Sequence, residues 1–378
     1  MKTLMLCVML LVTPAWASDD PAIRRDVEVT MRAMAAAAVA GDAEAYLVNV
    51  WEGDPLFLNE QKYFANDLRK KPAAEVLITL GEFEVGDGSI RGPITWAWTM
   101  PERKPRTVTF KGRFVQDGAA WKYAGETWDQ SNAEGVEVLH DPGLEDLAAR
   151  TAEAFVAIRR HVEEGFDLSD APLATRTQQI KIYGSMKHLQ ASICLGYETP
   201  LGGWNEPGEP IKLLASNRTS PAELRRLLAH EYGHVATFEL GPKANSMPWW
   251  ALEGVAELAG EKYGTGRSDG VVRAWAKAGR LPPFADISDF DITPAKNHGF
   301  VYAMGHHMIS FISERFARTG RNRWLSAMAN GRSIDEASIE VFSIDFATLE
   351  REWKATLPAP EPPADKAEPT KDGDAEGS

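Results

Sequence analysis

The sequence predicts an α+β chain in two units. The first runs from helices into a curved antiparallel sheet, and the second from a mixed sheet into a mostly helical C-terminal part. Three observations carry this. Val27, Met31, Met34, Ala38 and Leu47 form a helical stripe over residues 22–48, broken near Gly41-Asp42. Between 75 and 128 the period drops to two: Ile94, Trp96, Trp98 and Met100 alternate with Thr95, Ala97 and Thr99. From 269 to 357 the pattern is helical again, over 269–279, 298–317, 321–330, 334–341 and 345–356.

Taken in order, residues 1–17 read as a signal peptide. Lys2 is the charged start, Leu4 to Val12 an apolar run, and Ala15-Trp16-Ala17 a small-x-small cleavage site before Ser18. The mature chain is then expected to be exported, periplasmic or secreted, with no membrane span. Residues 22–130 make the first unit. Residues 49–70 read as shorter helices, and four strands follow, with Asp87-Gly88 and Asp117-Gly118 as hairpin turns. Helices followed by such a sheet resemble the NTF2-like cone, and that resemblance is architectural. Trp96, Trp98, Trp121 and Trp128 are read as its core, the alternative being the lining of a ligand cavity.

Polar residues 129–135 read as a linker, and the second unit spans 136–357. It opens with a strand at 135–140 and an amphipathic helix at 143–165. Leu144, Leu147, Ala154, Phe155, Ile158 and Val162 line one face of that helix. Strands follow at 179–183 and 210–216. The tail, 358–378, is Pro-rich, acidic and without apolar period, and is expected to be disordered.

Composition is that of a globular protein, 44% hydrophobic and 25% charged. The net charge of −13 argues against a nucleic-acid partner. Of two cysteines, Cys7 lies in the signal segment, so Cys194 is left without an intrachain partner and is read as a small buried residue.

The chemistry concentrates in LLAHEYGHVATFELGPKANSMPWWALEGVAELAG, from 227 to 260. Ser220 and Pro221 open a helix that Gly241-Pro242 closes. His230 and His234, four apart, lie on one face of it, so their imidazoles can converge on one cation. Glu231 sits where it can take a proton from a water held by that cation. A catalytic zinc takes three protein ligands, and Glu253 on the next helix is the candidate third, with Gly254 leaving room for close packing. Glu257, one turn on, is the candidate acceptor for a ligand histidine N–H.

HEYGH, eighteen intervening residues and the Glu of W-A-L-E-G-V-A-E resemble the gluzincin zinc peptidases, most closely the bacterial peptidase MA-like group. Further elements carry the likeness over about 136–357: F-V-Y-A-M-G-H-H-M-I-S-F-I from 300, Gly331-Arg332-Ser333, and L-E-R-E-W from 349. The G-x-M-E-N motif of M1 aminopeptidases is absent, so aminopeptidase specificity is not implied. The resemblance implies one zinc per chain on His230, His234 and Glu253, Glu231 as general base, and a peptide or protein substrate. The substrate would lie extended along a sheet edge at 210–216. It also implies an oxyanion-stabilising group on the later helix. Tyr302 is the candidate, with His306 and His307 behind it. Two alternatives stand beside the peptidase: a non-catalytic binding protein with a relic metal site, and a zinc hydrolase of a non-peptide amide.

Overall fold

The computed structural model describes residues 17–18, 20–264 and 268–361. The expected signal segment, apart from Ala17, and the tail beyond Glu361 lie outside the described residues. The architecture is α+β, with a curled antiparallel sheet, a mixed sheet and a helical C-terminal part.

Helix α1 (Pro21–Ala40) starts where the Asp20 side chain accepts from the Ala22 and Ile23 amides, and stops at Gly41, whose φ is 65°. After the short α2 (Ala43–Leu47), Asp54 and Pro55 open α3 (Pro55–Lys70) in the same way. Residues 55–70 thus form one helix rather than several short ones. Strands β2 (Glu75–Leu80), β3 (Glu84–Gly86), β4 (Ser89–Thr99), β5 (Arg106–Asp117) and β6 (Ala120–Glu126) follow, and β1 (Ala17–Ser18) pairs with β3. Asp87-Gly88 makes a two-residue hairpin turn with both φ values positive, the backbone that Gly and Asp tolerate best. Strand β4 pairs along one side with β3 and then β2, and along the other with β5, and the β5–β6 register shifts at Gly112/Phe114. That bulge bends the sheet over α1 and α3. Trp96, Trp98 and Trp121 are buried in this core beside Met31, Phe64 and Phe114. Trp128 lies apart, edge-on to Tyr183.

Residues 129–133 are not a linker. They form β7 (Asp129–Ala133), which pairs antiparallel with β8 (Val136–His140). Asp-Gln-Ser-Asn-Ala has no apolar alternation because neither face of this edge strand is buried. The second sheet has the order β10-β11-β9-β8-β7. β8, β9 (Gln178–Tyr183) and β11 (Ile211–Leu214) are parallel, and β10 (Gly203–Trp204) is antiparallel to β11. The strand at 210–216 is therefore interior, and β10 occupies the edge that the sequence had assigned to it. Two residues preceded by a glycine give no strand signal.

Helices α4 (Glu145–Gly165) and α6 (Pro221–Phe238) pack together over this sheet. α7 (Trp249–Gly260), α8 (Ser268–Lys277), α9 (His298–Ala329), α10 (Ile334–Phe342) and α11 (Phe346–Ala355) complete the unit. The break expected between 317 and 321 is a kink in α9 at Ala317. The short α5 (Met186–Ile193) packs against both β5 and α3, so it joins the two units. Beside it, Glu60 of α3 pairs with Lys181 and Lys212, both buried, on β9 and β11. A cavity of about 40 Å³ lies at the same junction, between Trp96 and Tyr123 on one side and Tyr183 and His188 on the other.

Candidate metal centre

Three helices meet at the site because glycines let them. On α6, a Cβ on Gly233 would come within 2.9 Å of the Ala256 Cα of α7. On α7, a Cβ on Gly254 would sit 2.5 Å from the carbonyl carbon of Gly305 on α9. α6 is set by its first turn, where the Ser220 Oγ accepts the Glu223 amide and Pro221 lacks the N–H that would be orphaned there. His230 and His234 then share a face, and α7 brings Glu253 against both.

Glu253 Oε2 lies 3.3 Å from His230 Nε2 and 3.5 Å from His234 Nε2. The three donor atoms lie within 4.8 Å of one another, and this group can hold a metal ion. Donors at about 2.0–2.1 Å around a tetrahedral ion stand roughly 3.3–3.4 Å apart, so the observed spacings fit such an ion. Glu253 Oε2 is buried and lacks a hydrogen bond, whereas Oε1 accepts from Trp249 Nε1 at 2.9 Å. His230 Nδ1 lies 3.2 Å from Glu257 Oε1, which fixes the ring and leaves Nε2 for the ion.

The electrostatics ask for positive charge at this vertex. Burial alone would raise the Glu253 carboxyl, but His234 and His230 hold it well below the usual carboxylate range. Burial disfavours the charged His230 imidazole, yet Glu253 and Glu257 push it well above its ordinary value. Glu231 is 4% exposed, and burial raises its carboxyl against the pull of both histidines. Its carboxylate rests against the Gly203 backbone: a Cβ there would lie 2.5 Å from Glu231 Oε1.

Tyr302 faces the same space. Its ring lies 6.1 Å from that of His230 at 28°, with Trp249 edge-on at 6.3 Å. His306 and His307 turn away. His306 Nδ1 is 2.6 Å from Ser268 Oγ, and His307 lies between Asp269 and Trp353 Nε1. All four motif residues and Tyr302 line a cleft of about 900 Å³.

No family model matches the chain, and no curated protein is similar to it.

Sequence reasoning missed Trp249, Tyr197 and Asn205. Trp249 stands one turn before Glu253, a helical spacing at which the two side chains can meet. Tyr197 and Asn205 reach the cleft from a loop far from the motif. Asn205 is 8% exposed, and neither its Oδ1 nor its Nδ2 has a partner. The lining of the cleft also includes Asp67 and Lys71 at the end of α3, so both units border it.

Proposed function

We propose that the chain is an exported zinc-dependent metallopeptidase that hydrolyses peptide bonds of a polypeptide substrate. The observation that carries this is the buried convergence of His230 Nε2, His234 Nε2 and Glu253 Oε2 beside Glu231, in the floor of an open cleft. Two imidazoles and a carboxylate suit zinc, and structural zinc sites more often use four ligands with cysteine. A bound zinc supplies Lewis acidity, acidifying water and polarising a carbonyl. Glu231 accepts the proton released when water attacks the scissile carbonyl, and then hands it to the leaving amine. Its raised carboxyl makes it a better base than an exposed glutamate. Trp249 and Glu257 hold Glu253 and His230 in orientation. Tyr302 offers its hydroxyl to the developing oxyanion.

The test separates binding from chemistry. Glu253→Ala should lose zinc on dialysis. Glu231→Gln should keep one zinc per chain and lose about a hundred- to ten-thousand-fold in turnover of a denatured protein substrate. Metal analysis beside a cleavage assay decides. Wild-type chain that loads zinc and cleaves neither peptides nor denatured protein would leave the non-catalytic reading standing. Among the described residues no helix is long and apolar enough to cross a membrane. Export rests on the N-terminal segment, and mass spectrometry of the chain from cell fractions should find Ser18 as the first residue. An intact Met1 on cytoplasmic protein would refute it.

A further inference from the structure

The wall of the metal cleft beside Glu231 is built from the segment 194–206. It belongs to the second unit, yet the first unit holds it at both ends. At the near end, Trp98 and Arg106 are cross-strand partners on β4 and β5. Trp98 Nε1 donates to the Leu195 carbonyl at 2.8 Å, and Arg106 donates to the Tyr197 carbonyl at 2.7 Å. The second arm of the Arg106 guanidinium donates to Gln190 Oε1, and Gln190 Nε2 donates to the Thr199 carbonyl. At the far end, Asn59 and Tyr63 stand one turn apart on α3. Both donate to the Pro207 carbonyl, at 3.0 and 3.3 Å.

Between the two grips lie β10 and Asn205. β10 is only two residues long and is paired on one side alone. A strand so short has little ladder of its own to fix its position. Yet Gly203 sits against the Glu231 carboxylate, so a small shift of this segment moves the cleft wall relative to the general base. Asn205 keeps a buried donor and a buried acceptor unpaired, an unfavourable state that a partner would relieve. A peptide group offers the complementary acceptor and donor.

We propose that the N-terminal unit is a clamp for the substrate-binding wall of the metal cleft, with Arg106, Asn59 and Tyr63 as positioning residues. The clamp fixes β10 and Asn205 as a docking edge for the backbone of an extended polypeptide. Its use in substrate binding rests on the peptidase reading; the clamp itself does not. None of the three residues touches the metal ligands, so their effect reaches the chemistry through the wall alone.

The test uses the full chain, loaded with zinc, carrying either Arg106→Ala or the pair Asn59→Ala and Tyr63→Phe. Hydrogen exchange by mass spectrometry should be faster by at least about tenfold in peptides covering 195–207. Peptides over α6 and α7 and the zinc content should match wild type. KM for a denatured protein substrate should rise about tenfold or more, with kcat changed much less, because the wall binds backbone and the reacting groups stay in place. Arg106→Lys keeps one donor arm and should fall between. Thr109→Val, which removes a hydrogen bond to Thr95 in the same sheet, is the control for general loosening and should move neither readout. Wild-type exchange in 195–207 for both variants overturns the clamp. Faster exchange with an unchanged KM overturns its role in binding. If wild-type chain cleaves nothing, the peptidase reading fails, and the exchange result still decides the clamp.

Discussion

Tyr302 and Glu206 are the two single residues whose behaviour follows most directly from their surroundings. The Tyr302 ring is stacked near His230, and burial with Glu253 and Glu231 close by pushes its phenol well above the ordinary value. It therefore keeps its proton and can donate to an oxyanion. Tyr302→Phe should lower kcat about a hundredfold or more while KM and zinc content stay near wild type. Equal kcat in steady-state assays would return Tyr302 to packing. Glu206, at the cleft wall, is pushed up to about 7 by burial and by the negative charge of Glu209. A folded-state acid above its ordinary value of 4.5 opposes folding as pH rises through that value, and the cost is complete above the folded value. Glu206→Gln keeps the acceptor for Asn245 and removes the charge. Its melting temperature should match wild type near about pH 4 and exceed it increasingly up to about pH 8. A difference that does not grow with pH would contradict this.

At the scale of elements, the glycine crossing of α7 and α9 decides whether Glu253 reaches the histidines. Alanine is worth about 1 kcal/mol over glycine in a helix interior. At Gly254 that gain is overridden, because the new Cβ would meet the Gly305 backbone at 2.5 Å and backbone cannot swing aside. Overpacking of this kind costs about 1–3 kcal/mol. Gly254→Ala should lower the melting temperature and weaken zinc binding together. Gly270→Ala in α8, where a Cβ would meet nothing within 4 Å, should raise it slightly. Thermal melts of the two variants check the contrast. The same elements mark what was legible in the sequence. Long helices with caps, such as α1 and α6, and long alternating strands, such as β4, carry their own period and were read within a few residues. The motif was legible because a helix turns its spacing into geometry. β7 and β10 were not, since one is polar on both faces and the other is two residues long. Asn59, Tyr63 and Arg106 carry no signal in the sequence, because hydrogen bonds to distant carbonyls leave no local pattern.

Over the whole molecule, the two units share a buried ionic seam at Glu60, Lys181 and Lys212 as well as the cleft wall. Removing one partner of such a buried pair leaves an uncompensated charge, which makes the seam a commitment rather than a loose contact. The grips on the wall have a further consequence, in time rather than space. His234 and Glu253 are separated by eighteen residues and lie on consecutive long helices. The wall instead waits on contacts between residues 91 to 148 apart in the chain. Short loops close before long ones, so the His230, His234 and Glu253 group should assemble early in folding and the cleft wall late. We therefore expect a refolding chain to pass through a state that takes up zinc but binds no substrate. Stopped-flow refolding with a zinc indicator, beside pulsed hydrogen exchange of residues 195–207, should resolve the two events in that order; simultaneous events would refute it. On the peptidase reading proposed above, the chain would gain its activity only once the rest of its fold is complete.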